Sequence, residues 1–264
     1  MENLRNKWSL ITGASSGFGV QFAKLQAARK SNLVLAARRA EPMERLAAEL
    51  RHKHGVDIAV ERIDLARPEA GTEIKSRLSA RGVSIDILVN NAGYGWYGSF
   101  IDQPLDTITD MLQLNVTTLT ELTHLFAADM VERRAGHILL IASLLGYQAV
   151  PGYAVYAATK AYVLLLGEAL HQELQPHGVA VTALCPGPSA TSFAEVAGAK
   201  NSPILNMMTI DPQTVAEAGV RAMLARQATM VPGFVNKAIV FLDRLMPRPM
   251  QRAIFGKVTA GGGP

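Results

Sequence analysis

Tyr156-Ala157-Ala158-Thr159-Lys160 sets a phenol and an ammonium four residues apart, which places both on one face of a helix. Free tyrosine titrates near 10, so a tyrosine that exchanges protons at neutral pH needs a nearby cation to stabilise its phenolate. Lys160 supplies that field. A Tyr/Lys pair at this spacing is common on amphipathic helices and says little alone. Ser143, thirteen residues earlier, ends an apolar run, where its hydroxyl is suited to hold a carbonyl oxygen. Asn115 falls inside a long helical pattern. An amide there is ordinarily solvent-facing; the alternative is an interior amide that binds a water feeding a relay to Lys160. The chemistry open to Asn115, Ser143, Tyr156 and Lys160 together is general acid–base work on a carbonyl or alcohol oxygen.

A second group of residues suits a phosphate. Thr12-Gly13-Ala14-Ser15-Ser16-Gly17-Phe18-Gly19 joins an apolar run to a helical pattern. Glycines there let the chain turn sharply and approach a pyrophosphate at the helix N-terminus, where unpaired N–H groups point outward. The next strand ends Leu35-Ala36-Ala37 and is followed by Arg38-Arg39. An NAD-binding fold would carry an acidic residue near Ala37 for the ribose 2′-hydroxyl; forked guanidinium donors suit a 2′-phosphate instead. Asp64-Leu65 follows a third strand, and Asn90-Asn91-Ala92-Gly93 a fourth, where two amides can tie strand ends together and small residues leave room for a ligand.

The elements that must position these groups alternate. Strands are predicted at 8–11, 33–37, 58–63, 85–89, 137–142 and 179–184, and helices at 17–29, 43–54, 69–81, 106–134, 154–175 and 212–226. Strands this apolar on both faces, separated by helices, describe an α/β fold: a doubly wound, Rossmann-like parallel sheet of about seven strands in a single domain. At 264 residues and 49% hydrophobic the chain can bury a large core, which excludes disorder and a disulfide scaffold. One cysteine, Cys185, allows no internal disulfide and fits a reducing, cytoplasmic setting. The uncharged run 138–159 is long enough to span a bilayer, but Gly146, Pro151 and Gly152 interrupt it. Residues 1–233 form the main body and are charge-balanced, which argues against nucleic acid; the extension 234–264 carries the net charge of +4. No metal is expected: no H-E-x-x-H occurs, and His52 and His54 sit two apart at a helix end.

The turn T-G-x-x-x-G-x-G, the N-N-A-G segment and the ordered set Asn115, Ser143, Tyr156 and Lys160 resemble the short-chain dehydrogenase/reductase family in its compact, single-domain branch. The resemblance runs from about residue 6 to 230. It implies a carbonyl reductase or alcohol dehydrogenase in which Tyr156 is the general acid/base, Ser143 polarises the carbonyl and Lys160 also holds the nicotinamide ribose. It implies NADP(H) as cofactor, with Arg38 marking that preference and Arg39 and Ser15 helping. Gly13, Ser16, Gly17, Phe18 and Gly19 would cradle the pyrophosphate, Asp64 and Leu65 the adenine, and Asn91, Ala92 and Gly93 the cleft. Pro186-Gly187 and Thr191 would contact the nicotinamide. Two departures, Ala142 for a second serine and Ser189 for valine, remove no catalytic group. A silent NADP(H)-binding regulator of the same fold is the alternative, and it would be expected to lose Tyr156 or Lys160.

Tyr94, Trp96, Tyr147 and Phe193, with Ser143 and Tyr156, are the candidate substrate wall, with Tyr97 and Tyr153 as further pocket candidates on the same loops; a mostly apolar small-molecule carbonyl or alcohol is the expected partner. The family's habit implies a homodimer or homotetramer through the helices around 106–134 and 154–175, where Leu122, Phe126, Val163 and Leu165 supply apolar surface. In the extension, Pro247 and Pro249 predict a break between two short helices. Amphipathic helices mostly face protein, so a cap on the cleft or a subunit contact is expected there. Peripheral contact with an anionic membrane is the other use of its basic and apolar residues.

Overall fold

Each of the six apolar runs forms a strand, and the inner strands are buried on both faces, as a helix-covered parallel sheet requires. The computed structural model describes residues 4–189 and 209–260. Strands β1 (Trp8–Thr12), β2 (Asn32–Ala37), β3 (Ile58–Arg62), β4 (Ile87–Asn90), β5 (Gly136–Ile141), β6 (Val179–Leu184) and β7 (Thr229–Met230) form one sheet. Their order is β3-β2-β1-β4-β5-β6-β7, and every pairing is parallel. Between them run α1 (Gly17–Ala28), α2 (Ala40–His54), α3 (Ala70–Ala80), α4 (Leu105–Leu112), α5 (Leu119–Glu132) and α6 (Ala154–Leu174). After β6 come α7 (Pro212–Leu224), α8 (Phe234–Leu245) and α9 (Arg248–Ala260).

Neighbouring residues of β1 show how the layers divide. Leu10 packs with Phe126, Ile74 and Val163 on one face, and Ile11 packs with Phe22, Met43 and Val220 on the other. The chain winds outward from β1 through β2 and β3, then returns to lay β4 on the opposite side of β1. That reversal opens a crevice at the strands' C-terminal ends, where open α/β sheets bind ligands.

Two local outcomes differ from the sequence reading, and one follows it. The helix predicted over 106–134 is three pieces: α4, one π-helical turn at Gln113–Thr118, and α5. As the interrupting Gly146, Pro151 and Gly152 imply, the uncharged run 138–159 resolves into the end of β5, a 3₁₀ turn at Leu144–Tyr147 and the start of α6. Among the described residues no helix is long and apolar enough to cross a membrane. Of the side chains expected to join subunits, Leu122, Phe126 and Val163 lie in the subunit's own core, while Leu165 is exposed beside Tyr162.

Candidate active site

At the mouth of the crevice, Thr12 ends β1 with its hydroxyl accepting hydrogen bonds from the N–H groups of Asn91 and Ala92, both at 2.9 Å. Asn91 returns its side-chain amide to the Thr12 carbonyl at 2.8 Å. These bonds lock the ends of β1 and β4 together and fix the glycine turn that follows. Gly13 adopts φ +66°, and a Cβ there would lie 2.8 Å from the Asn91 amide. Gly17, the first residue of α1, also has positive φ.

The N-terminus of α1 is open to an anion. Ser16 makes no capping bond with its side chain, and the first turn holds no acidic residue. Uncapped N–H groups behind a glycine turn fit a pyrophosphate. Arg38 and Arg39 are exposed at the end of β2, and Arg39 Nη2 reaches Ser15 Oγ at 3.4 Å, so the basic pair and the turn share one rim. Phe18 is half-buried against the core. Asp64 holds its own turn, accepting from Ala66 N at 3.0 Å. Leu65 turns its side chain into the core, so its backbone is what it offers to a ligand.

Of the two readings of Asn115, the structure has the interior amide. It lies in the π turn and is fully buried, and such turns often mark functional positions. Its Oδ1 accepts from Tyr94 N at 3.2 Å, while Nδ2 donates to the Tyr94 carbonyl at 2.9 Å and to Thr159 Oγ1 at 3.2 Å. Thr159 donates in turn to the Tyr156 carbonyl at 2.7 Å. Asn115 thereby ties the loop after β4 to the helix that carries Tyr156 and Lys160. Gly93 passes through this junction; a Cβ on it would lie 2.9 Å from Asn115 Oδ1 and 3.5 Å from Lys160 Nζ.

Lys160 is buried, and its Nζ donates to the Ile141 carbonyl at the end of β5 at 2.7 Å. The ammonium stands 5.7 Å from the centre of the Tyr156 ring. Burial lowers its pKa to about 8, with a smaller opposing effect from Cys185. Tyr156 is also buried, which raises its phenol above the ordinary tyrosine range; a hydrogen bond with Ser143 pulls the other way. Ser143 begins the 3₁₀ turn and accepts from Leu145 N at 3.1 Å. The tetrad predicted from the sequence is therefore one buried cluster.

The expected substrate wall is only partly assembled as predicted. Tyr94 is half-buried, and its hydroxyl donates to the Thr107 carbonyl at 3.0 Å. Trp96 folds its ring over Gly98. Tyr147 turns inward, packs against the core and bonds to the buried Cys185 sulfur, so its hydroxyl is not offered to a ligand. Tyr153 and Tyr97, pocket candidates from the same two loops, supply the aromatic surface beside Tyr156 instead. Tyr153 lies between Tyr97 and Tyr156, with ring centres 5.0 and 6.2 Å away. A backbone bond from Gly98 N to the Gly152 carbonyl at 2.9 Å joins the two loops. Pro186 accepts from Leu144 N, and Gly187 meets Asn236 of α8. Thr191 and Phe193 lie outside the described residues.

A doubly wound sheet with a glycine turn on β1 and a Ser–Tyr–Lys cluster beyond β5 defines a dinucleotide-dependent oxidoreductase. The chain belongs to the short-chain dehydrogenase/reductase family, whose short chain dehydrogenase model matches residues 7–202. Its relatives include the very-long-chain 3-oxoacyl-CoA reductase of Bos taurus, 33% identical over 72% of this chain and 62% of that one. The chain thus spans less than two thirds of that relative's length. The rat protein of the same name is 30% identical over 92% of this chain and 76% of its own. Among solved structures, a short-chain dehydrogenase from Sphingobium yanoikuyae in complex with NADPH superposes with a TM-score of 0.80 at 32% identity, covering 92% of this chain and 97% of that one. A bulky-bulky ketone specific alcohol dehydrogenase from Comamonas testosteroni gives 0.78 at 33% identity, with 90% and 91% covered.

Proposed function

We propose that the protein interconverts a carbonyl and a secondary alcohol on a bulky, mostly apolar small molecule, using NADP(H). The observation that carries this reading is the Ser143–Tyr156 hydrogen bond, backed by Lys160 and flanked by the rings of Tyr153 and Tyr97. The cofactor supplies or accepts the hydride when bound; the turn at Gly13–Gly19 would hold its pyrophosphate and Lys160 its ribose. Ser143 and Tyr156 offer two hydroxyls to one substrate oxygen. Burial keeps Tyr156 a phenol at neutral pH, so the proton for the developing alkoxide is in place. Lys160 stabilises the phenolate left behind. The names of the relatives, a ketone-specific dehydrogenase and a 3-oxoacyl-CoA reductase, support a bulky carbonyl. A panel of bulky ketones and long 3-oxoacyl thioesters, assayed with NADPH and NADH, tests this; no turnover of any carbonyl with either cofactor would overturn it.

Ala37 followed by two exposed arginines supports the choice of NADP(H). A charge-assisted phosphate contact contributes about 1.5–3 kcal/mol. Arg38→Ala should therefore reduce the NADPH-over-NADH ratio of kcat/KM roughly 10- to 100-fold. Equal use of both cofactors by the wild type would sink the assignment.

Lys160 also sets a pH limit. Burial favours its neutral amine, so it carries charge below about pH 8 and loses it above. Reductive kcat should hold below that point and fall as pH rises through it. A reductive profile that stays flat to pH 10 would remove the Lys160 field from the mechanism.

A further inference from the structure

α8 faces the protein with the wrong side for an ordinary surface helix. Its buried residues are Asn236 and Asp243, with Val240 packed partly against the core. Its large apolar side chains point outward: Phe234 is 86% exposed, Phe241 64%, Leu242 56% and Leu245 69%. The break predicted at Pro247 separates it from α9, where Met250 and Ile254 are exposed as well. Lys237, Arg244, Arg248 and Arg252 are exposed among these residues, and none is in an ion pair among the described residues. Two other apolar patches lack this charge. Phe100, Ile101 and Leu105 lie among the exposed carboxylates of Asp102, Asp106 and Asp110, and Tyr162 and Leu165 have no exposed cation beside them on α6.

We infer that α8 and α9 form an interfacial membrane contact: the outward apolar residues enter the headgroup region of an anionic bilayer while the four cations meet its phosphates and carboxylates. Charge decides the occupant. The body of the chain is neutral, and the whole net charge of +4 falls in residues 234–264. A lipid surface combines negative charge with an apolar interior, and an exposed basic, apolar helix pair matches both. The position adds a use. α8 packs on the Leu144–Tyr147 turn, Asn236 meets Gly187, and α9 passes Pro151 at Gly256. These are the loops that carry Ser143 and Tyr153, so the contact would set the mouth of the site beside the lipid, where an apolar substrate concentrates. The attachment does not depend on the proposed carbonyl chemistry, because vesicle binding requires no turnover.

Flotation of the full chain with phosphatidylcholine vesicles, with and without about a third phosphatidylserine, reads the contact directly. Binding is expected only with phosphatidylserine and should weaken as salt is raised. Arg244→Gln, Arg248→Gln and Arg252→Gln combined should lower partitioning on the order of 100-fold, since each basic residue near the surface contributes about fivefold. Phe241→Ser with Leu242→Ser should also release the protein. Both sets lie on exposed side chains, so NADPH binding and turnover of a soluble substrate should persist. No binding to either vesicle, or equal binding to both, would overturn the inference. So would a Phe241→Ser/Leu242→Ser protein that changes oligomer size in light scattering and still floats with the anionic vesicles, which would make this face a contact between copies of the chain.

Discussion

Tyr156→Phe should bind NADPH nearly as tightly as the wild type and turn over its carbonyl substrate two to four orders of magnitude more slowly. The magnitude is that of a positioned proton donor lost from the transition state. Phenylalanine keeps the ring that packs 6.2 Å from Tyr153, so the helix and the aromatic wall should stand. What is deleted is the hydroxyl shared with Ser143 and the proton it delivers. The effect should fall on kcat, because the ground-state complex loses only one hydrogen bond. Ser143→Ala, which removes the second hydroxyl and leaves the proton donor, should cost less. Single-turnover kinetics of both pure variants separate the two roles; retained turnover in Tyr156→Phe would take that residue out of the mechanism.

The site was most legible where its geometry is local. Tyr156 and Lys160 are one helical turn apart, so their shared face follows from spacing, and Ser143 follows from its place at a strand end. The glycine turn is equally local. Groups joined through distant contacts were not legible. The π turn at Gln113–Thr118 exists alongside bonds from Asn115 to Tyr94 and Thr159, and helical periodicity carries no trace of them. The Tyr97–Tyr153 contact depends on a backbone bond between loops more than fifty residues apart. Burial beside a motif was not legible either: Leu65 follows the exposed Asp64 in the chain, and packing turns its side chain into the core. In α8 the sequence shows that polar and apolar faces differ, and only packing decides which one turns inward.

Gly19→Ala should be the most damaging one-carbon change in the cofactor turn. A Cβ at Gly19 would overlap the Gly13 carbonyl oxygen and lie 2.8 Å from the carbonyl carbon and 2.9 Å from Ala14 Cα. All of these are backbone atoms, so no side chain can swing aside. Either α1 retreats or the turn opens, and Asn91 resists the second through its bond to the Thr12 carbonyl. Overpacking of this kind costs about 1–3 kcal/mol. The larger consequence is for the ligand, because the N–H groups of α1 and the turn must converge on one pyrophosphate. Ligand at 100 times its Kd stabilises the folded state by about 2.7 kcal/mol, and most of that gain should disappear. Gly82→Ala is the matched control: φ is +68° there, and a Cβ would meet nothing within 4 Å. It should cost about 1–2 kcal/mol through backbone strain alone and keep the full rise in Tm with NADPH. Thermal melts of the two variants with and without NADPH make the comparison. If Gly19→Ala keeps the NADPH-induced rise, the turn at Gly13–Gly19 is not where the pyrophosphate sits.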